Sequence, residues 1–215
     1  MIKRNKGTLI LTTVILLLPM VIGLILWNKL PEQVPMHWNV SGEVDGWGSR
    51  GMLVFGMPLF LIGIQWLCAL ATAFDPKNKD LKGKLAQLVL WICPFVSLLV
   101  HTLIYAKILG YDLRVEIIIP LTMGLLFMVV GNYLPKCRQN STIGIKLPWT
   151  LKSEDNWNKT HRLAGLVWVF GGALLMATAV FGSLILLFVV TVVMVLAPTV
   201  YSYCLYRRNK QVDNG

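Results

Sequence analysis

Charge is scarce in this chain of 215 residues, and acidic charge is scarcest. Only 14% of the residues are charged, with 10 Asp and Glu against 20 Lys and Arg, whereas soluble domains carry about 25% charged residues. The chain is 56% hydrophobic and its mean hydropathy is +0.66. Because so short a chain cannot bury that much apolar surface in its own core, an ordinary water-soluble globular domain is excluded.

Cysteine and the common catalytic motifs are also scarce. The four cysteines, Cys68, Cys93, Cys137 and Cys204, show no C-x-x-C spacing, so they give no support for a disulfide framework or a zinc site. The H-E-x-x-H motif and paired intramembrane aspartates, either of which a membrane enzyme would need, are missing from the sequence. We therefore predict that the chain is not an enzyme and holds no cofactor or metal.

What the chain has instead is long apolar runs. About 20 apolar residues cross the hydrocarbon layer of a bilayer, which is roughly 30 Å thick. Six such segments are present: 8–28, 51–74, 86–109, 115–134, 162–181 and 183–206. The sequence therefore predicts an all-α integral membrane protein with six transmembrane helices, forming a single polytopic membrane domain over residues 1–215. Because little more than Gly182 and Ser183 separates the last two segments, they are predicted to form a tight helical hairpin.

The basic residues give these helices an orientation. If the N-terminus is cytoplasmic, 16 of the 20 Lys and Arg residues fall on the cytoplasmic side, and Lys29, Arg50, Lys107 and Arg114 fall outside. The positive-inside rule favours this arrangement. We therefore predict that both termini are cytoplasmic, that the loop 29–50 is extracellular and that the loop 135–161 is cytoplasmic. Since the basic excess is explained by orientation, we predict no direct contact with nucleic acid.

The outer loop contains "PMHWNVSGEVDGWGSR", which is polar and aromatic between two apolar spans. Gly42 and the pair Asp45–Gly46 mark turns, so we expect a compact flap whose tryptophans, Trp38 and Trp47, dip toward the membrane interface. His37 with Glu43 or Asp45 could bind a cation or hold the flap by hydrogen bonds. A purely structural cap over the bundle is a further interpretation.

The inner loop, 135–161, is predicted to be ordered. The segment "STIGIKLPW" alternates, which indicates an extended run along the membrane surface. Thr150 or Ser153 can cap a helix whose first turn is acidic, as the helix dipole favours. That helix is expected to continue into the fifth span. Trp149 and Trp157 suit the headgroup level of the membrane, so an anchor for the fifth helix is one interpretation of this loop.

Two stretches carry longer motifs. The first, "LPEQVPMHWNVSGEVDGWGSR", follows the first span and has the pattern P-x-H-W-N-x-x-G-x-x-D-G-W-G-S-[KR]. The second, "NYLPKCRQNSTIGIKLPWTLKSEDNWNKTHRLAG", contains G-I-[KR]-x-P-W-T-L and W-x-K-T-H-R-x-[AG]-G. In this order and within a six-span frame, they resemble the bacterial immunity family typified by the SdpI-type protein, which protects against the sporulation-delaying toxin peptide.

The resemblance implies a multi-pass protein of the bacterial cell membrane that gives resistance to a secreted antimicrobial toxin peptide. It further implies, from the type member, a receptor that sequesters a transcriptional autorepressor at the membrane. The implied partners are thus the lipid bilayer, the toxin peptide and a cytoplasmic repressor. The candidates for toxin contact all lie in the outer loop: His37, Trp38, Asn39, Gly42, Asp45, Gly46 and Trp47. The candidates for cytoplasmic signalling match the second motif: Gly144, Lys146, Pro148, Trp149, Thr150, Trp157, Thr160, His161 and Arg162.

A small-solute or peptide transporter or exporter is the alternative function. It would need a polar path through the bundle, and polar residues inside a membrane usually face the bundle interior. Three residues, Gln65, His101 and Asn132, are the clear candidates, which is little material for such a path. We expect His101 to be a hydrogen-bond partner between helices rather than a proton relay.

Overall fold

The computed structural model describes residues 1–39, 41–76, 83–181 and 184–213, without the side chains of residues 181, 184, 212 and 213. Six of its helices are long and apolar enough to cross a membrane, which confirms the predicted number of spans. These candidate spans are Lys3–Ile25, Met52–Phe74, Gly83–Ile108, Val115–Lys136, Glu154–Val180 and Ile185–Gln211.

The chain folds in a simple order of elements. The helices are α1 (Lys6–Ile25), α2 (Met57–Phe74), α3 (Gly83–Ile108), α4 (Val115–Tyr133), α5 (Pro148–Lys152), α6 (Glu154–Phe181) and α7 (Leu184–Asp213), and the strands between α1 and α2 are β1 (Gln33–Trp38) and β2 (Val44–Ser49). A π-helical turn, Met52–Gly56, leads into α2. The fold divides into two compact units, Met1–Glu116 and Ile117–Gly215. A single membrane domain over residues 1–215 stays a prediction.

The structure corrects the sequence prediction in two places. The all-α prediction omitted the antiparallel hairpin of β1 and β2, because Pro35, Gly46 and Gly48 are residues that strands usually avoid. The last helix, α7, continues past the predicted end at residue 206. The helix of the fifth span begins at Glu154, as predicted for a helix capped at Ser153. The predicted tight turn at residues 182–183 lies outside the described residues, as does most of the loop between α2 and α3.

The first unit packs its hairpin onto its helices through one apolar cluster. The buried members come from the hairpin, the π-helical turn and α3: Leu30, Val34, Leu53, Val54, Ile104 and Tyr105. Val34 in β1 is fully buried, so the hairpin is part of the core of this unit. Burying an aliphatic side chain of this size contributes about 1.5–3 kcal/mol.

Polar groups inside the spans of the first unit are mostly paired. His101 lies 2.8 Å from the carbonyl oxygen of Ser97 and 3.3 Å from that of Leu53 in the π-helical turn. The prediction that His101 joins two helices by hydrogen bonds is therefore confirmed. Gln65 is buried and donates from Nε2 to Thr12 Oγ1 at 2.8 Å.

The second unit depends on close helix approach. Gly124 and Gly131 of α4 face Gly172 and Gly165 of α6, and a methyl group added at Gly124 would lie 2.5 Å from the carbonyl oxygen of Gly172. Small residues of this kind let membrane helices pack backbone to backbone. Asn132, predicted to face the interior, is exposed in the structure, because the neighbouring Gly131 occupies the face of α4 that packs against α6.

Candidate functional site

Two ordered segments outside the long helices, together with the first turns of α6, contain the predicted functional residues. The first segment is the hairpin. Its strands pair from Gln33 opposite Ser49 to Trp38 opposite Val44, and the register shifts on both sides of His37. Such irregularities bend a strand and redirect side chains. The glycine opposite His37 is Gly46, where an added Cβ would lie 2.8 Å from His37 Cβ. A side chain at position 46 would therefore collide with His37, and glycine avoids this.

Asn39 organises the turn of the hairpin. Its Oδ1 accepts hydrogen bonds from the backbone N–H groups of Ser41, at 2.9 Å, and Glu43, at 3.0 Å. Its Nδ2 donates to Glu43 Oε2 at 3.0 Å. Gly42 has a φ of +80°, the left-handed region that favours glycine. Asn39 and Gly42 thus build the turn and hold the end of the hairpin in one conformation.

The exposed face of the hairpin carries three of the predicted contact residues. His37 Nδ1 lies 2.5 Å from Asp45 Oδ1, and the two side chains are 72% and 44% exposed. Trp47 is 62% exposed. Of the two interpretations of His37, the structure shows the hydrogen bond, with Asp45 and not Glu43 as the partner. The cation-binding interpretation gains no support, because the described residues contain no group of three or more His, Cys, Asp and Glu side chains that could hold a metal ion.

The two tryptophans of the hairpin differ in their surroundings. Trp38 packs against the apolar cluster of the first unit, and its Nε1 is buried without a hydrogen-bond partner among the described residues. Trp47, by contrast, projects into the surroundings of the protein. Only Trp47 therefore offers a whole indole ring to a partner.

The second segment, residues 137–153, links α4 to α6 and is called the connector below. Buried Asn140 organises it: Oδ1 accepts from the backbone N–H groups of Thr142 at 2.8 Å and Ile143 at 2.7 Å, and Nδ2 donates to the carbonyl oxygen of Arg138 at 2.7 Å. Burial raises the pKa of the Cys137 thiol, and a hydrogen bond from Asn140 partly opposes that rise. The expectation of a continuous extended run is therefore wrong, because Asn140 folds the chain into a turn.

Stacked aromatic rings close the connector onto α6. Trp157 is fully buried, donates from Nε1 to the carbonyl oxygen of Cys137 at 2.8 Å, and stacks on His161 with 4.0 Å between ring centroids. His161 accepts from the backbone N–H of Ile145 at Nε2, at 2.9 Å, and donates from Nδ1 to the carbonyl oxygen of Trp157, at 2.8 Å. Both bonds exist together only for a neutral imidazole with its proton on Nδ1. The protein therefore encloses the Trp157 ring, which does not reach the lipid headgroups as an interfacial anchor would.

Gly144 makes this closure possible. Its φ is +117°, and an added Cβ would collide with His161 Nε2 and lie 3.0 Å from two atoms of the Trp157 ring. Glycine is required here by conformation and by space at once. The Gly-Ile dipeptide of the second motif thus has a packing explanation.

Hydroxyl and amide groups hold the remaining part of the connector. Thr150 Oγ1 accepts from the backbone N–H of Leu147 at 2.9 Å and donates to the carbonyl oxygen of Ile145 at 2.8 Å. Gln139 Nε2 donates to the carbonyl oxygen of Thr150 at 2.9 Å. Ser153 Oγ accepts from the backbone N–H of Asn156 at 3.2 Å, so Ser153 is confirmed as the cap of α6.

The connector is also tied to α7. Trp149 Nε1 donates to Ser202 Oγ at 2.9 Å, and Asn156 Nδ2 donates to the carbonyl oxygen of Ser202 at 2.9 Å. Thr160 donates to Asn156 Oδ1 at 3.0 Å. Sequence reasoning missed Asn140, Asn156 and Ser202; only Asn140, followed by Ser-Thr, carried a turn signal.

Seven of the nine predicted signalling residues fall into two groups, and the other two, Gly144 and Trp149, are half-buried. Thr150, Trp157, Thr160 and His161 are buried, while Lys146, Pro148 and Arg162 are exposed. Buried residues cannot touch an approaching protein, so they act as scaffold. Direct contact with a partner would be made by the exposed group.

Comparison with known proteins gives this architecture a context. A model of the SdpI/YfhL protein family matches residues 136–202, which include the connector and Ser202. A domain of unknown function, DUF1648, matches residues 14–62, which include the hairpin. Over 218 aligned residues, the chain is 29% identical to "Immunity protein SdpI" of Bacillus subtilis (strain 168), covering 99% of both chains. The chain is therefore similar to the SdpI/YfhL protein family over residues 136–202, and to one immunity protein along its whole length.

This similarity and the six apolar helices together make this a multi-pass protein of the cell membrane. Both ordered segments lie inside matched regions of the chain. No solved structure matches the chain.

Proposed function

We propose that this chain is a membrane immunity protein that gives resistance to a secreted antimicrobial toxin peptide. The observation that carries the proposal is similarity to an immunity protein over 99% of both chains, which includes both ordered segments. The proposal involves no chemical step. Protection would come from binding the peptide at the membrane surface.

The orientation of the spans is part of the proposal. With six crossings, both termini are cytoplasmic, the hairpin is extracellular and the connector is cytoplasmic. The distribution of Lys and Arg supports this arrangement. A secreted peptide would then meet the hairpin before it meets any other ordered segment outside the helices.

The hairpin is the proposed contact surface for the peptide. His37, Asp45 and Trp47 are exposed together on a segment whose backbone is fixed by Asn39 and by the buried Val34. A rigid surface loses little conformational entropy on binding. An exposed indole beside a charged pair also suits a peptide that is both apolar and polar.

Capture of a repressor is the finer part of the proposal. It would use the exposed residues of the second motif, Lys146, Pro148 and Arg162, because the other members are mostly buried. The buried residues Trp157 and His161 would hold these exposed side chains in place.

A protection assay tests the function. The chain is expressed in a bacterium sensitive to the sporulation-delaying toxin peptide, and survival is measured against peptide concentration at a known membrane level of the protein. Protection is expected, and its absence at normal membrane levels would refute immunity to that peptide. An exporter would instead lower the peptide content of cells or vesicles with time, and the same cells can be assayed for that.

Single-cysteine labelling tests the orientation. Ser41→Cys places a thiol on the hairpin and Lys146→Cys places one on the connector, at two exposed positions. The natural Cys137 is unsuitable because it is buried. A reagent that cannot cross membranes should label the Ser41→Cys protein in intact cells and label the Lys146→Cys protein only after lysis. The opposite pattern would reverse the topology.

A further inference from the structure

We propose that the second unit binds the headgroup of an anionic phospholipid on a surface formed by α5 and the last turns of α7. We call it the α5–α7 surface. It comprises three basic and three apolar or aromatic side chains: Lys152, Arg207, Lys210, Trp149, Leu151 and Tyr206. The proposal does not depend on the immunity function.

Contacts with α7 fix the position of α5. Trp149 Nε1 donates to Ser202 Oγ at 2.9 Å, and the indole stacks on Tyr206 with 5.8 Å between ring centroids at an interplanar angle of 23°. It also meets the ring of Tyr203 edge-on at 5.4 Å. Ser202 is fully buried. These contacts hold the short helix against one face of α7.

Helical spacing then places the basic side chains beside these rings. Residues three and four apart lie on the same face of a helix. Arg207 is therefore on the face of α7 that carries Tyr203, and Lys210 is on the face that carries Tyr206. On α5, Lys152 is three residues after Trp149. The contact between α5 and α7 thus brings basic side chains from both helices together on the α5–α7 surface.

Among the described residues, the basic side chains of the α5–α7 surface have no ion-pair partner. Lys152, Arg207 and Lys210 are all exposed. The acidic residue Asp155 at the start of α6 pairs with Lys159, at 2.8 Å. The α5–α7 surface therefore suits an anion from outside the protein.

The apolar neighbours indicate that the anion belongs to a lipid. Leu151 is 39% exposed next to Lys152, and Tyr203 and Tyr206 are partly exposed on α7. Tryptophan and tyrosine favour the depth of the lipid headgroups. A free phosphate ion would satisfy the basic side chains but leave this apolar rim uncovered. A phospholipid covers both, with its phosphate at the cations and its acyl chains along Leu151.

Lipid retention in nanodiscs tests the proposal. The full chain is incorporated into nanodiscs of phosphatidylcholine with increasing phosphatidylglycerol, and retained lipid is measured by native mass spectrometry. We expect preferential retention of phosphatidylglycerol. The Lys152→Gln/Arg207→Gln/Lys210→Gln variant should weaken that preference by about fivefold for each charge removed, since a basic side chain near an anionic leaflet contributes about 1 kcal/mol.

A charge-matched control separates a site from general attraction. Lys136→Gln/Arg138→Gln/Arg162→Gln removes three exposed basic residues of the same unit that lie outside the α5–α7 surface. This control should keep the lipid preference. Equal loss in both variants, or an unchanged preference in the first, would overturn the proposal, and the second outcome would leave the surface to an acidic protein partner.

Two further measurements complete the test. Inorganic phosphate at millimolar concentration should fail to displace phosphatidylglycerol, and displacement would mean that the surface is a simple anion site. Circular dichroism and thermal unfolding of the triple variant should match the parent, because the three side chains are exposed. A misfolded triple variant is replaced by the three single variants, whose losses should each be about fivefold.

Discussion

The hairpin and the connector contain similar residues and use them in opposite ways. The hairpin combines tryptophan, histidine and asparagine with glycines that have a positive φ or are tightly packed, and the connector does so together with the first turns of α6. In the hairpin, His37 and Trp47 are exposed and the asparagine shapes a turn. Where the connector meets α6, Trp157 and His161 of that helix are buried against each other and Gly144 of the connector packs against both. Key motif residues of the hairpin are therefore exposed, whereas those around the connector are buried and hold the segment together.

This difference separates two meanings of a sequence motif. Exposed side chains contribute little to stability and are available to a partner outside the chain. Buried polar side chains are needed for packing and hydrogen bonding, and the fold itself accounts for them. Substitutions in the two segments should therefore affect different properties of the protein.

The largest expected effect is that of Gly144→Ala. The left-handed φ costs about 1–2 kcal/mol for a residue with a Cβ, and overpacking against Trp157 and His161 costs about 1–3 kcal/mol more. We expect the free energy of unfolding to fall by about 3 kcal/mol, measured by denaturant titration in detergent. Gly110→Ala is the matched control, because Gly110 has a φ of +89° and open space around it. Equal effects of the two changes would show that packing at Gly144 is unimportant.

The next effect is that of Asn140→Ala in the connector. Removal of the buried amide leaves the N–H groups of Thr142 and Ile143 without their acceptor, at about 1–3 kcal/mol. We expect the unfolding free energy to fall by about 2 kcal/mol. Asn132→Ala, at an exposed position of the same unit, should change it by less than about 0.5 kcal/mol. An unchanged unfolding free energy in the Asn140→Ala variant would contradict the structural role of the connector.

The Cys137 thiol gives a second measure of connector order. Burial raises its pKa, so at pH 8 less thiolate is present than at an ordinary cysteine, and alkylation should be slow until the pH passes the raised value. Asn140→Ala should expose the thiol and accelerate alkylation by about tenfold or more. The measurement is mass spectrometry of protein carrying only Cys137. A fast reaction in the parent would show that the connector is open.

A smaller effect is expected for Trp149→Phe. The change keeps a ring against Tyr206 but removes the donor to Ser202 Oγ, which costs about 1 kcal/mol. Thermal unfolding in detergent measures it. Ser202→Ala removes the same bond, so the double variant should lose no more than about 0.5 kcal/mol beyond either single variant. Additive losses would mean that the bond is not formed.

The smallest effect on stability is expected in the hairpin. His37→Ala breaks an exposed pair, and such pairs contribute about 0–1 kcal/mol. Trp47→Ser removes a mostly exposed ring. Each variant should unfold within about 0.5 kcal/mol of the parent, by the same detergent assay. A loss of several kcal/mol would make these residues scaffold and erase the contrast with the connector.

The sequence predicted the parts of this fold that depend on long apolar runs. The six spans and the cap at Ser153 follow from composition and local chemistry. The hairpin was missed because the glycines of β2 conceal its alternation, and strand pairing depends on a partner strand. The buried state of Trp157 was missed for a related reason. Its position is set by Cys137 and Gly144, which precede it by 20 and 13 residues in the chain.

The sequence motifs singled out the residues of the candidate site but not their surroundings. His37 and Asp45 lie in the hairpin, Thr150 in the connector and His161 in α6. Exposure decides their roles, and exposure depends on contacts that no local pattern encodes, such as the bond from Trp149 to Ser202 in α7. The resemblance of the motifs to a family suggested a class of function. It did not show which motif residues are exposed and which are buried.

Protection per folded molecule shows whether the hairpin is the surface that recognises the toxin peptide. The His37→Ala/Trp47→Ser double variant and the Asn140→Ala variant are compared with the parent in the toxin-peptide assay, after the folded protein in each membrane is quantified. The hairpin variant should keep the parent's stability and lose protection by about tenfold or more, whereas Asn140→Ala should protect normally for each folded molecule. Full protection by the folded hairpin variant would contradict the assignment of the hairpin as the recognition surface.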